Sequence, residues 1–210
     1  MSMGILIAGF DYSGAHEDEF HDWYDFEHLP ERQRIQGFSA CERWIGVDNP
    51  KLALATYDLD TVTVLDGDAY LAVAHDNISI WSKRVVAMCD RLIRFEGEQT
   101  NPGAEAAPTG AGGLLLNAMN VDAEHESEFN AWYDQEHIPA LRAVPGVLSA
   151  RRFLARDSTH RHVALYHVRD PQVVLGEAWQ AAASSEWTDR MRPHFKDRLR
   201  MLMRAYRRGG

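Results

Sequence analysis

Residues Gly4 to Phe10 form an almost unbroken apolar run, the pattern of a strand buried on both faces. The period then changes. Phe20, Trp23, Tyr24 and Glu27 recur at helical spacing, and Glu17, Asp18 and Glu19 crowd the first turn, where the helix dipole favours acids. Ser13 is the predicted N-cap, and Pro30 restricts Leu29 and predicts a break or kink there. Gly37 opens a second strand that runs to about Ile45. Asp48-Asn49-Pro50 supplies turn chemistry, and Leu52 to Leu59 reads as the return strand of an antiparallel hairpin. A second helical region over about 63–84 and a last strand over about 92–99 complete the unit.

The whole succession then returns. Glu19-Phe20-His21-Asp22-Trp23-Tyr24-Asp25-Phe26-Glu27-His28-Leu29-Pro30 lies over Glu128-Phe129-Asn130-Ala131-Trp132-Tyr133-Asp134-Gln135-Glu136-His137-Ile138-Pro139, an offset of 109. That offset holds without a gap from Gly4/Gly113 to Ala69/Ala178, and 20 of the 67 pairs from position 4 to 70 are identical, which chance does not give. Further on the register slips, and Trp81 sits better over Trp187. In the second copy the strands are expected over about 113–120, 146–154, 162–168 and 199–207, the helices after Asp122 and over about 171–192. Between the copies, Gly97 to Gly112 is rich in Gly, Ala, Pro and Glu and reads as a flexible connection. A period near 100 residues is too long for a solenoid. The expectation is a first unit over 1–98, a linker over 99–112 and a second unit over 113–210.

Each unit has the order β-α-β-β-α-β, the ferredoxin-like arrangement of a four-stranded antiparallel sheet with helices on one face. The uncovered faces need burial. Two copies in one chain achieve this most simply by packing sheet to sheet, as an intramolecular α+β barrel. Composition agrees with a globular chain: 45% hydrophobic and 25% charged residues. The formal net charge of −9 argues against nucleic acid and against an anionic membrane surface as partners. No apolar run approaches the length of a membrane span, and Met1 to Phe10 lacks the basic start of a signal peptide. Cys41 and Cys89 read as free thiols, and the expected compartment is the cytoplasm.

With these elements in place, the chain resembles the dimeric α+β barrel superfamily, nearest the EthD-like proteins and their uncharacterised relatives. The elements that carry the likeness are Trp23 to Pro30, Gly37 and Arg43-Trp44, and in the second copy Trp132 to Pro139, Pro145-Gly146 and Arg152-Phe153. Gln36 stands where the first copy should have its proline. The resemblance covers nearly the whole chain. It implies a fold shared by cofactor-free monooxygenases, polyketide cyclases, muconolactone isomerases and dye-decolourising haem enzymes, and does not choose among them.

The candidate chemistry is the duplicated motif. On an α-helix Tyr24, Asp25 and His28, and likewise Tyr133, Asp134 and His137, fall three or four apart on one face. A carboxylate beside an imidazole fixes its tautomer, so His28 and His137 are candidate general acids or bases with Asp25 and Asp134 orienting them. The bland reading is a packing motif that ends the helix. Trp23 and Trp132 are expected in the core, Glu27 and Glu136 in structural pairs with Arg43 and Arg152. Those arginines, with Tyr24, Tyr133, Tyr57 and Tyr166, are the candidate substrate-binding residues; Tyr57 and Tyr166 share a strand face with Ala55 and Ala164, which leaves room for a cavity with one polar handle. His160 and His162 alternate on a strand without a matching pair in the first copy, and there is no His-Glu-x-x-His, phosphate loop or nucleophile elbow. No metal or other cofactor is expected. Nothing marks His75, His167 or His194 as a haem ligand. The leading expectation is a cofactor-independent enzyme that moves a proton on a small apolar oxygenated molecule, as an isomerase, cyclase or lyase. The alternatives are a cofactor-free monooxygenase of a phenolic or polyketide-like substrate, and a non-catalytic binding or interaction module. Further homo-oligomerisation stays open.

Overall fold

The structure, a computed structural model, describes residues 2–208. The first half supplies β1 (Gly4–Asp11), β2 (Phe38–Gly46), β3 (Leu52–Leu59) and β4 (Asp90–Asn101); the second supplies β5 (Gly113–Val121), β6 (Val147–Asp157), β7 (His162–Val168) and β8 (Phe195–Ala205). They close into one barrel in the order β1-β3-β2-β8-β5-β7-β6-β4, every pair antiparallel. Each half is thus the expected ferredoxin-like sheet. The halves join at two seams, β2 on β8 through Trp44↔Ala205 to Gly46↔Met203, and β4 on β6 through Glu96↔Asp157 to Asn101↔Arg152. Closure pairs the strand edges that would otherwise invite another chain.

Strand alternation divides the side chains between two environments. Along β3, Ala53, Ala55, Tyr57 and Leu59 face the helices, whereas Leu54 faces the lumen. The lumen is a filled core: Ile5, Ile7, Trp44, Phe95, Leu114, Leu116, Phe153, Leu165 and Met203 are buried there together. The lumen therefore leaves no room for a ligand, and the hollows of the molecule lie outside the barrel wall.

Over the first half-sheet run α1 (Glu17–Trp23), one π-helical turn (Tyr24–His28) and α2 (Leu29–Gln33), then α3 (Asp68–Leu71) and α4 (Ile80–Val86). The second half repeats this with α5 (Glu126–Trp132), a π turn (Tyr133–His137) and α6 (Ile138–Arg142), followed by α7 (Gln172–Leu175), α8 (Glu177–Ala182) and α9 (Glu186–Met191). Several expectations need correction. The break predicted at Leu29 is a π turn, in which the Leu29 N–H reaches the Tyr24 carbonyl and the helix resumes with Pro30 in its first turn. Ser13 caps nothing; its N–H is held by Asp11, and His16 Nδ1 accepts from Asp18 N at the helix start. Asp122 precedes a 3-10 turn, Ala123–His125, rather than α5 itself. The second helical regions are broken into short helices. Gly67 and Gly176 are extended, and the Ser79 and Ser185 hydroxyls cap α4 and α9 by accepting from Ser82 N and Thr188 N.

The spacer does not behave as a loose tether. Glu105 exchanges hydrogen bonds with the Gln99 side chain, Ala107 N donates to Asp58 Oδ2 at 2.7 Å, and Ala111 is buried with the lumen core. Its composition predicted flexibility, but its backbone groups find partners on the barrel rim. Gly37 and Gly146, matched in the repeat, have φ of +95° and +94°, and a Cβ would meet Val64 or Val173 within 2.7 Å. Cys41 and Cys89 are free. Among the described residues no helix is long and apolar enough to cross a membrane.

Candidate functional site

The π turn decides where the motif's side chains go. It accommodates one more residue per turn than the α-helix, and such turns are frequent at functional sites. Faces computed at 3.6 residues per turn are therefore wrong beyond Tyr24. His28 comes back under Trp23, with ring centroids 4.6 Å apart, and His137 under Trp132 at 4.3 Å. Trp23 Nε1 donates to Ser82 at 2.9 Å and Trp132 Nε1 to Thr188 at 3.1 Å, which ties α1 to α4 and α5 to α9. Glu27 accepts from Ser79 and Ser82, and Glu136 from Ser185.

Two expected pairings do not form. Asp25 turns away from His28 to an ion pair with Arg43, and Asp134 binds Arg152 at 3.0 Å. Glu27 and Glu136, expected on those arginines, serve the serines instead. The extra residue of the π turn moves the aspartates onto the strand side and the imidazoles inward. Arg43 and Arg152 also lie over the Tyr24 and Tyr133 rings, at 4.4 and 4.2 Å, so both guanidiniums are held in structural clusters. Arg43 reaches His21 Nδ1 at 2.8 Å, where Arg152 has Asn130.

His28 and His137 each line a cavity between helices and sheet. The first, about 540 Å³, is lined by His28, Arg32, Tyr57 and Arg94 among apolar neighbours including Leu6, Trp23 and Ala74. The second, about 370 Å³, is lined by Tyr133, His137, Leu141, Asn117, Arg198 and Arg200 among others. Tyr57 thus lies on the first cavity and Tyr133 on the second; Tyr24 and Tyr166 do not line them. Asp25 and Arg43 border a different hollow, near the C-terminal Tyr206 and Arg208.

Around the first cavity three buried polar atoms have no hydrogen-bond partner: His28 Nδ1, Arg32 Nη1, which faces Glu31 Oε2 at 3.6 Å, and the Tyr57 hydroxyl. Arg32 is 3% exposed, and its Nη2 donates to Val73 O at 2.8 Å. Buried groups left unpaired cost about 1–3 kcal/mol each, so their convergence on one cavity calls for a ligand or ordered water. Burial, then the charges of Arg32 and Arg43, holds His28 well below the usual histidine pKa. Burial, then Arg152 and Arg192, brings His137 down to about 4. Both imidazoles are neutral at pH 7. Burial pushes the Tyr57 hydroxyl well up.

Arg32 was not singled out by sequence, because its matched position is Leu141 and the repeat hides it. A second omission is Asp122, His125 and His194, whose ligand atoms all lie within 4.8 Å of one another. The i, i+3 spacing of Asp122 and His125 was legible, but only the fold brings in His194. His28 Nδ1 lacks the partner that the second nitrogen of a metal-ligating imidazole usually has, and His167 lies inside the filled barrel, so neither is placed to hold a haem; His75 and His137 are the other histidines on the walls of the two cavities.

No protein-family model matches the chain, and no curated protein matches it by sequence. Solved structures do match. An anthrone oxidase-like protein superposes with a TM-score of 0.66 at 11% identity, over 97% of this chain and 92% of its own. A mutant chlorite dismutase from Candidatus Nitrospira defluvii gives 0.65 at 12%, over 99% and 93%. A candidate monooxygenase from Lactobacillus acidophilus gives 0.57 at 11%, over 98% and 94%. At such identities the likeness establishes the α+β barrel fold alone.

The leading functional expectation is corrected. A cofactor-independent isomerase, cyclase or lyase needed an imidazole backed by a carboxylate, and neither copy forms that pair. The superposing structures are named as an oxidase-like protein, a candidate monooxygenase and a chlorite dismutase, none of them an isomerase, cyclase or lyase, and the Asp122, His125 and His194 cluster offers a metal-type donor set.

Proposed function

We propose that the chain is an oxidoreductase of the monooxygenase or oxidase kind, acting in the first-half cavity on a small aromatic molecule with an acidic methylene conjugated to a phenol or ketone. The observation that carries this is that His28 Nδ1, Arg32 Nη1 and the Tyr57 hydroxyl, buried atoms without a hydrogen-bond partner, belong to residues that line one cavity of about 540 Å³, whose wall mixes apolar side chains with charged ones. Cavities of this size suit a small molecule with a few polar handles. The likeness in fold to an anthrone oxidase-like protein and to a candidate monooxygenase supports the choice of chemistry.

In this reading Arg32 stabilises the phenolate or enolate oxygen of the bound substrate, and Tyr57 donates to the same oxygen. The neutral imidazole of His28 accepts a hydrogen bond and positions the acidic C–H or O–H. The enolate carbon gives up its electrons to dioxygen; the methylene becomes a carbonyl, one oxygen atom enters it, and the other leaves in water with the two hydrogens. We further read the chain as a fused pair of EthD-like units working on a small molecule in the cytoplasm.

The test uses the full chain with anthrone-type and phenolic substrates under 18O2. Product carrying one labelled oxygen is expected, with Arg32→Leu lowering kcat/KM by about 10²-fold, the usual loss for one oxyanion donor. Oxygen uptake no faster than the uncatalysed reaction, or an Arg32→Leu variant as fast as the parent, refutes it.

A further inference from the structure

We propose that Asp122, His125 and His194 form a binding site for one late first-row divalent cation of the zinc class. The three residues come from two segments that the fold clamps together. Asp122 follows β5, His125 ends the 3-10 turn and precedes α5, and His194 ends the 3-10 turn Arg192–His194 that leads into β8. Asp122 N donates to the His194 carbonyl at 3.2 Å and His125 N to the Asp122 carbonyl at 2.8 Å, so the backbones are fixed before any cation arrives. Asp122 Oδ2 stands 3.5 Å from His194 Nδ1, a separation that two ligands of one tetrahedral ion adopt. The His125 ring stacks on His194 with centroids 3.4 Å apart, so one ring must turn off the other to aim its in-plane lone pair at the same ion; the buried His125 Nδ1 has no hydrogen-bond partner to hold it back.

The donor set selects the ion. Two imidazoles and one carboxylate suit zinc and its neighbours, whereas calcium and magnesium need a shell of oxygens. Asp122 and His194 are about one-third exposed, so water can complete the coordination. Lys196 is the opposing feature. Its ammonium pairs with Asp122 Oδ1, leaving Oδ2 to the histidines but placing a positive charge beside the ion. The site belongs to the second half alone: the matched residues are Ser13, His16 and, in the register of Trp81 over Trp187, Met88. An ion here would tie the start of α5 to the start of β8, the elements that bring Trp132 and Phe195 together on the wall of the second cavity. Its role is accordingly a structural clamp, independent of the chemistry in the first cavity.

The test is titration of the EDTA-stripped full chain with zinc by calorimetry, and with cobalt(II) followed by its visible absorption. One zinc per chain, a tetrahedral cobalt spectrum and a rise in Tm with zinc are expected. His125→Ala and His194→Ala should each weaken binding at least about tenfold, since each removes a ligand. His16→Ala should leave it unchanged. Lys196→Met keeps all three ligands and should tighten binding severalfold by removing the competing charge. Absence of saturable zinc, parental affinity in His194→Ala, or unchanged affinity in Lys196→Met overturns the assignment.

Discussion

At position 32 the first half has an arginine; at the matched position 141 the second has a leucine. The two cavities share a tryptophan, a π turn and a neutral histidine, and they differ in what surrounds these. The first holds the buried Arg32 guanidinium, whose Nη1 has no hydrogen-bond partner, and has Ala8 in its wall. The second is smaller, has Asn117 in place of Ala8, and takes its positive charge from Arg192 and from Arg198 and Arg200 on β8. The tryptophan, the π turn and the histidine are kept in both halves, so what distinguishes the first cavity is the Arg32 guanidinium and the small Ala8.

The lumen ends show the same divergence and predict the largest effect. Matched residues make reciprocal pairs: Asp58 with Arg151 at one end, Glu42 with His167 at the other. Arg151 grips both Asp58 oxygens, at 2.7 and 3.2 Å, and both side chains are at most 2% exposed. Glu42 and His167 stand 3.6 Å apart, and the facing atoms lack partners. Asp58→Ala strands a buried guanidinium and should cost about 3–5 kcal/mol in urea unfolding. Glu42→Ala removes a long contact to a neutral ring and should cost about 1 kcal/mol. Equal losses would erase the distinction between the two ends.

The two Asp–Arg clusters behind the motif rank next. Asp25 holds Arg43, Tyr206 and Arg208 together and is only partly exposed, whereas the Asp134 side chain is about half exposed and Arg152 keeps Asn130 besides. Asp25→Asn should cost about 2 kcal/mol. Asp134→Asn should stay within about 0.5 kcal/mol, because water replaces a half-exposed partner. Thermal unfolding of the two variants side by side decides it.

A smaller effect tests the cavities themselves. Ala8→Asn copies the Asn117 wall into the first cavity and narrows it. Substrate KM should rise about tenfold with little change in kcat, which corresponds to about 1.4 kcal/mol of uniform binding. A kcat loss of the same size would place Ala8 closer to the reacting atoms than the proposed pose allows.

The strands, the hairpins and the barrel were legible because period-two alternation and a duplicated motif state them directly; the histidines' place beneath the tryptophans was not, since it depends on the π turn. Nor were the partners of Asp25 and Glu27. Spacing arguments assume 3.6 residues per turn, and a single π turn moves every later side chain by most of one position. Local sequence does not announce that turn; it is stabilised by tertiary bonds such as Trp23 to Ser82, whose residues lie far apart in the chain. Arg32 and the Asp122, His125 and His194 cluster escaped for a related reason. The repeat draws attention to what both halves keep, whereas Arg32, Asp122 and His194 stand in one half only; His125 has His16 at its matched position but lacks the partners there.

The two motif histidines give the finest comparison, through pH. Each is neutral in the fold because burial depresses its pKa, His137 to about 4 and His28 well below the usual value. In the unfolded chain each takes a proton near pH 6.5. Between that pH and the folded value the unfolded state therefore binds more protons, so stability is complete above about pH 6.5 and falls on acidification. Each histidine contributes a slope of up to about 1.4 kcal/mol per pH unit. His137→Gln and His28→Gln should each flatten the urea-midpoint profile between pH 6 and 5 by one proton, on the order of 1 kcal/mol per unit. For His137 the slope should fade near pH 4, where the folded imidazole begins to titrate, so the parent and His137→Gln curves run parallel below that point. A His28→Gln profile as steep as the parent's between pH 6 and 5 would mean that His28 takes its proton in the folded protein as readily as in the unfolded chain, and the burial of that imidazole under the first helix would carry no electrostatic consequence.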